Sequence, residues 1–316
     1  MINKRRAFIT GIKGTNISQK EIIFLKKYKP WGIILFSRNI KTIHQTQQLT
    51  KNIRSIFKDE NYPILIDEEG GRVSRLRKFI DSSLFSAKFF GELYLKNKKK
   101  FMIYYKVYIN QITYLLNLLG INLNSVPVMD VYRKKSNKVI GNRSFSSNTR
   151  IVTTVGNLFI DQFHKNRIAT IVKHIPGHGL SKFDSHFRLP SINASLKELY
   201  KKDFKAFENN KSLFSMTAHI IYKNIDSKYP ATHSKKIINI IRNKIKFKSI
   251  IISDDISMKS LKFSIAENTK QAFTAGCNIV MHCNGNFSEM MNVAKNSPYV
   301  DKFILKNTYK FYNIVN

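Results

Sequence analysis

A chain of 316 residues with 43% hydrophobic and 12% aromatic content can bury a sizeable core, which excludes a disordered tail. The charge is extreme, 54 Lys and Arg against 20 Asp and Glu for a net +34. The basic residues are spread over nearly every segment, so no specific nucleic-acid surface is expected.

Two cysteines, Cys277 and Cys283, are too few for a disulfide framework. No run approaches the ~20 apolar residues of a membrane span. The basic start, ending at Arg6, leads into a stretch broken by Thr10, Gly11 and Lys13, too polar for a signal peptide. The expectation is a cytoplasmic monomer with no membrane partner.

In chain order, short β-branched runs alternate with longer helical patterns. Eight strands are expected, at 7–10, 32–36, 63–66, 121–128, 169–173, 213–217, 249–253 and 278–283. Several, such as Ile33-Ile34-Leu35-Phe36 and Ile250-Ile251-Ile252, are continuous apolar runs suited to burial on both faces of a parallel sheet. Ser18 with Glu21, and Ser195 with Glu198, are spaced as capping boxes that open helices. Further helices are expected at 42–57, 101–119, 149–165, 234–244, 268–275 and 302–314. This alternation predicts right-handed βαβ units and an α/β fold. Eight strands in this length point to a single (β/α)8 TIM-type barrel spanning residues 1–316 with a C-terminal helix. The alternative is an open doubly wound sheet.

The unusual polar residues follow the strands. Asp67-Glu68-Glu69-Gly70-Gly71 comes after the third, and Asp130 and Gly141-Asn142-Arg143 after the fourth. The loop from Lys173 and His174 to Asp184 and His186 comes after the fifth, Ala218-His219 after the sixth, and Asp254-Asp255 after the seventh. In a barrel these positions converge on the C-terminal mouth, where enzymes of this architecture do chemistry.

A carboxylate at a strand end, such as Asp254, can be held rigidly and aimed at an anomeric carbon. Asp255 beside it can instead cap the following turn or hold Asp254 in place. Asp184 stands two residues before His186, close enough to fix an imidazole's tautomer, and histidine can give and take a proton near neutrality. The alternative is a loop histidine satisfying a local hydrogen bond. Three histidines in one segment, His174, His178 and His186, also raise a metal site. However, Pro176 and Gly177 break any helix that would align the first two, and no Glu stands in a metalloprotease position. Neither a metal nor a cofactor is expected. Asp67, Arg72, Arg75, Arg143 and Lys173 can bond sugar hydroxyls or an acetamide, or form ion pairs that support the mouth.

Together these motifs resemble the β-N-acetylglucosaminidases of glycoside hydrolase family 3, the single-domain bacterial type of peptidoglycan recycling. Lys173-His174-Ile175-Pro176-Gly177-His178-Gly179, then Asp184-Ser185-His186, fits that group's signature loop. Asp67 to Arg75, Gly141 to Phe145, Met216 to His219 and Ser253 to Met258 fit its other motifs in the same order. The resemblance implies Asp254 as nucleophile and His186 as acid/base with Asp184 as its partner. It implies Asp67, Arg75, Arg143, Lys173 and His174 as ligands of a terminal N-acetylglucosamine, and a muropeptide fragment as the small-molecule amino-sugar substrate. Glu68 stands where the group has Gln, and Asn142 where it has Asp; an added carboxylate near Asp67 is expected to alter sugar binding slightly. Past Gly285 the resemblance fades. A phosphorylase on the same scaffold, catalysis by the substrate's own acetamide, and an RNA-binding protein on a decayed scaffold are the rival readings.

Overall fold

A computed structural model describes residues 2–134, 139–181 and 189–316. Asp184 and His186, the expected acid/base pair, lie outside the described residues. The strands are β1 (Arg6–Gly11), β2 (Pro30–Leu35), β3 (Ile64–Ile66), β4 (Leu123–Asn124), β5 (Ala169–Ile175), β6 (Ser191–Ile192), β7 (Phe214–Thr217), β8 (Ile221–Tyr222), β9 (Ile250–Asp255) and β10 (Ile279–His282). All but β6 and β8 close one parallel barrel in the order β1-β10-β9-β7-β5-β4-β3-β2. The short β6 and β8 pair with each other beside it. The expected (β/α)8 barrel is the observed fold.

The helices are α1 (Gln19–Tyr28), α2 (Ile43–Phe57), α3 (Ala87–Lys96), α4 (Lys98–Leu118), α5 (Thr149–Lys165), α6 (Leu196–Lys201), α7 (Lys235–Asn243), α8 (Ile265–Ala275), α9 (Phe287–Asn296) and α10 (Lys302–Val315). Ser18 closes a reciprocal capping box with Glu21 at α1, and the Ser195 side chain accepts from the Glu198 N–H at α6. Helices α3 and α9 have no counterpart in the sequence expectations. Among the described residues no helix is long and apolar enough to cross a membrane.

Strand alternation splits the core in two. One set of residues points outward under the helices: Phe8, Ile33, Ile66, Val172, Ile251 and Val280. The other set fills the barrel: Ile9, Ile34, Leu65, Ile171, Met216, Ile252 and Met281. Helix α10 plugs the end where the strands begin. Its Phe311 ring packs 6.2 Å from Trp31, whose indole N–H donates to Thr308 at 2.9 Å. The opposite end is left for the loops.

The fourth strand is shorter than expected, two residues rather than the eight of 121–128. Pro127 has no N–H to give to a ladder. The segment still runs beside β5, since Lys173 N–H donates to Pro127 O at 3.3 Å and Met129 N–H to Lys173 O at 2.7 Å.

Gly91 in α3 rests directly on the segment that carries Arg143. A Cβ there would lie 1.7 Å from the Phe145 carbonyl oxygen. Gly91→Ala should therefore cost about 1–3 kcal/mol by forcing the two backbones apart. Denaturant unfolding reads this as a lower midpoint, and an unchanged midpoint would show that the contact yields freely.

Candidate active site

Period-two alternation carries three polar side chains into the barrel mouth. Leu65, Ile171 and Ile252 fill the interior, and two residues later on the same face of each chain stand Asp67, Lys173 and Asp254. These three line one cavity of ≈ 350 Å³, together with Glu69, Arg75, Arg143 and His174. The five sugar ligands that the resemblance implied are therefore on the cavity wall with the expected nucleophile. Met216, Met258 and Met281 add an apolar part to the wall.

The charges interlock. Lys173 Nζ lies 3.0 Å from Asp67 Oδ1 and 2.7 Å from Glu69 Oε1, and donates to Ser125 Oγ at 2.8 Å. Arg143 clamps the same Glu69 in a fork, Nε to Oε2 at 2.7 Å and Nη2 to Oε1 at 2.8 Å. Arg75 reaches Asp67 at 3.6 Å, and Ser125 donates to Asp67 as well. Burial by itself would push the Asp67 carboxyl up. The Lys173 ammonium, then the Arg75 guanidinium and the hydrogen bonds from Ser125 and Lys173, outweigh it and hold Asp67 well below the usual carboxylate range. Burial opposes the ionised Glu69 too, but Arg143 and Lys173 bring it down to about 2. Lys173 and Arg143 are themselves moved up, since the facing carboxylates outweigh the burial that would lower them.

His174 is oriented from behind. Its Nδ1 lies 2.7 Å from a carboxylate oxygen of the fully buried Asp130. That places the proton on Nδ1 and turns Nε2 toward Arg143 Nη2, 3.5 Å away. Asp130 also accepts from the backbone N–H groups of His174 at 3.3 Å and His178 at 2.6 Å. Burial would raise the Asp130 carboxyl, but His174, followed by the bonds to His178, leaves it lowered.

Asp254 and Asp255 end β9, two positions further than the expected 249–253. Both line the cavity, and Asp254 Oδ1 accepts the Asp255 N–H at 2.7 Å. Asp255 serves its surroundings: its side chain accepts from Ser257 N–H at 3.0 Å, from the Ser257 hydroxyl at 2.8 Å and from Cys283 N–H at 3.2 Å. Burial pushes its carboxyl up in spite of the Ser257 bonds. The following helix α8 is capped by Ser264, so Asp255 braces the turn rather than the helix. His219 sits behind it, its Nε2 3.0 Å from Asp255 O and its Nδ1 2.7 Å from Thr232.

Two residues take other places than sequence reasoning gave them. Arg72 is not on the cavity wall and donates to Val139 O instead. Glu68 turns away from the sugar ligands. It is buried and accepts from the N–H groups of Arg75 at 2.6 Å and Leu76 at 3.1 Å, and from Ser82 at 3.3 Å, so it moulds the loop carrying Arg75. Burial pushes its carboxyl up. Sequence reasoning overlooked Glu69 and the role of Asp130. The first was detectable, since Glu69 stands two residues beyond Asp67 and period two puts both on one side. The second was not, since Asp130 meets His174 only through the packing of the fourth and fifth strands.

The N terminal domain of glycosyl hydrolase family 3 matches residues 5–305. A beta-hexosaminidase of Haemophilus influenzae is 33% identical over 287 residues, covering 88% of this chain and 79% of that protein. One of Haemophilus ducreyi is 35% identical over 285 residues, covering 87% and 80%. Among solved structures, NagZ from Neisseria gonorrhoeae in complex with N-trifluoroacetyl-D-glucosamine superimposes with a TM-score of 0.87 at 28% identity, over 98% of this chain and 90% of that one. With barrel, motif order and relatives in agreement over most of its length, the chain belongs to glycosyl hydrolase family 3.

Proposed function

We propose that this protein is a retaining exo-β-N-acetylglucosaminidase that removes the non-reducing terminal sugar from muropeptide fragments during peptidoglycan recycling, acting as a cytoplasmic monomer. The observation that carries the reading is the single cavity in which Asp254 faces Asp67, Arg75, Arg143, Lys173 and His174. The ionised carboxylates accept from sugar hydroxyls, the cations donate to hydroxyls and to the acetamide oxygen, and the methionine wall suits the acetamide methyl.

The reaction is a double displacement. The Asp254 carboxylate attacks the anomeric carbon as the glycosidic C–O bond breaks. The leaving oxygen takes its proton from the His186 imidazolium, whose orientation Asp184 supports. Neutral His186 then removes a proton from water, the water oxygen attacks the same carbon, the ester to Asp254 breaks, and the β configuration returns.

Phosphorolysis is the rival that the net charge invites. Yet the cavity wall carries Asp67, Glu69, Asp254 and Asp255 against Arg38, Arg75, Arg143 and Lys173, a formal balance among the described residues. The chain-wide charge gives phosphate no special hold there. A chromogenic β-N-acetylglucosaminide assayed with and without phosphate tests both. Hydrolysis at a rate indifferent to phosphate is expected. Release of sugar 1-phosphate, or no cleavage at all, would overturn the reading.

A further inference from the structure

A second depression opens beside the active-site cavity. It is a groove of ≈ 1060 Å³ between the loops that follow β1 and β10, and Asn284 lines both spaces. β10 is the immediate neighbour of β9, which carries Asp254. A substrate whose reacting bond lies at Asp254 can therefore extend past Asn284 into the groove.

The groove is built rather than incidental. The two loops that flank it are packed backbone on backbone: a Cβ on Gly285, which has φ 73°, would lie 2.9 Å from Ile12 O, and one on Gly11 would lie 2.3 Å from Cys283 O. Arg38 bridges the two loops, donating from Nε to Ile12 O at 3.1 Å and from Nη2 to Cys283 O. Asn39 fixes the first loop further, donating to Ile12 O at 3.1 Å and Gly14 O at 2.7 Å. A wall held this way costs little to order when a ligand arrives.

The side chains that face it favour an anion. Exposed Lys13 and Lys20 line the groove, and Lys20 Nζ sits 4.2 Å over the Phe287 ring. The carboxylate on the lining, Glu21, is already committed, accepting from Lys13 N–H at 3.0 Å, Ser18 N–H at 2.9 Å and the Ser18 hydroxyl at 2.7 Å. Asn16 and Asn284 supply neutral amides. The active-site cavity is balanced in formal charge, whereas this groove carries two cations against one carboxylate.

We infer that the groove receives the carboxylate-bearing part of the leaving group, with Lys13 and Lys20 as its counter-ions. This rests on the glycosidase reading and names the chemistry that the enzyme selects beyond the cleaved sugar. Exposed charge pairs are individually weak and screened by salt, so the effect is one of preference between substrates.

The test compares two substrates in the wild-type enzyme and in the K13A/K20A variant. One is a chromogenic β-N-acetylglucosaminide with an uncharged aglycone, and the other is β-N-acetylglucosaminyl-1,4-anhydro-N-acetylmuramic acid. The variant should lose roughly five- to tenfold in kcat/KM on the carboxylated disaccharide relative to the uncharged glycoside, and K13E/K20E more. The wild-type preference should also shrink as salt rises. Variants that treat the two substrates as the wild type does would overturn the groove and leave the glycosidase standing. A wild-type enzyme that cleaves neither would overturn both.

Discussion

Asp254→Ala should abolish turnover of a β-N-acetylglucosaminide, with kcat falling by at least ~10⁴-fold, in the range seen when a nucleophile is removed while the binding groups stay. The variant should fold, because Asp254 is half-buried at a strand end and the inward layer beneath it, Ile250 and Ile252, is untouched. Its KM or inhibitor affinity should change far less than kcat, since Asp67, Arg75, Arg143 and Lys173 keep their network. Azide added to the variant should restore turnover and give the α-glycosyl azide, because the small anion takes the place and face of the missing carboxylate. Asp255→Asn is the control. Its side chain braces Ser257 and Cys283 N–H rather than the reacting carbon, so measurable activity should remain. Undiminished hydrolysis by Asp254→Ala would remove the assignment and with it the covalent mechanism.

Lys173→Met should bring the largest loss of stability, about 3–5 kcal/mol. The lysine is 3% exposed and touches two carboxylates of the segment that follows β3. Without it, Arg75 at 3.6 Å and the Arg143 fork neutralise Asp67 and Glu69 only in part. The pH dependence follows from the directions of the shifts. Asp67 and Glu69 are held below their unfolded values, Glu69 to about 2. Their contribution is therefore fully present above a pH of about 4–5 and is lost as pH falls toward those lowered values. In Lys173→Met the burial penalty remains while a principal cation is gone, so both carboxyls move up and the loss begins at higher pH. Denaturant unfolding at pH 7 and pH 4 measures both effects. A variant as stable as the parent at pH 7, with the same acid limb, would show that the network contributes nothing net to folding.

The amino-acid pattern determined a good deal unaided. The apolar runs in β2 and β9 have to be buried on both faces, the Ser18 and Ser195 caps fix where α1 and α6 begin, and together these specify alternating strands and helices, the pattern of a barrel or of an open doubly wound sheet. Alternation along each strand then puts Asp67, Lys173 and Asp254 on the inner face, two residues beyond Leu65, Ile171 and Ile252. Those are local properties, with periods of two and 3.6 residues, and a linear chain displays them openly. What only the tertiary structure decided is pairing across the barrel. That Arg143 forks onto Glu69, that Asp130 turns His174, and that Lys13 lies across a groove from Asn284 all join residues dozens to hundreds of positions apart. Helix α3 was missed because its Gly91 faces the Phe145 carbonyl, a close approach that weakens the local helical signal and has its reason elsewhere in the chain. Contacts between distant segments depend on how the strands close and shear into a barrel, and no short window of sequence carries that closure.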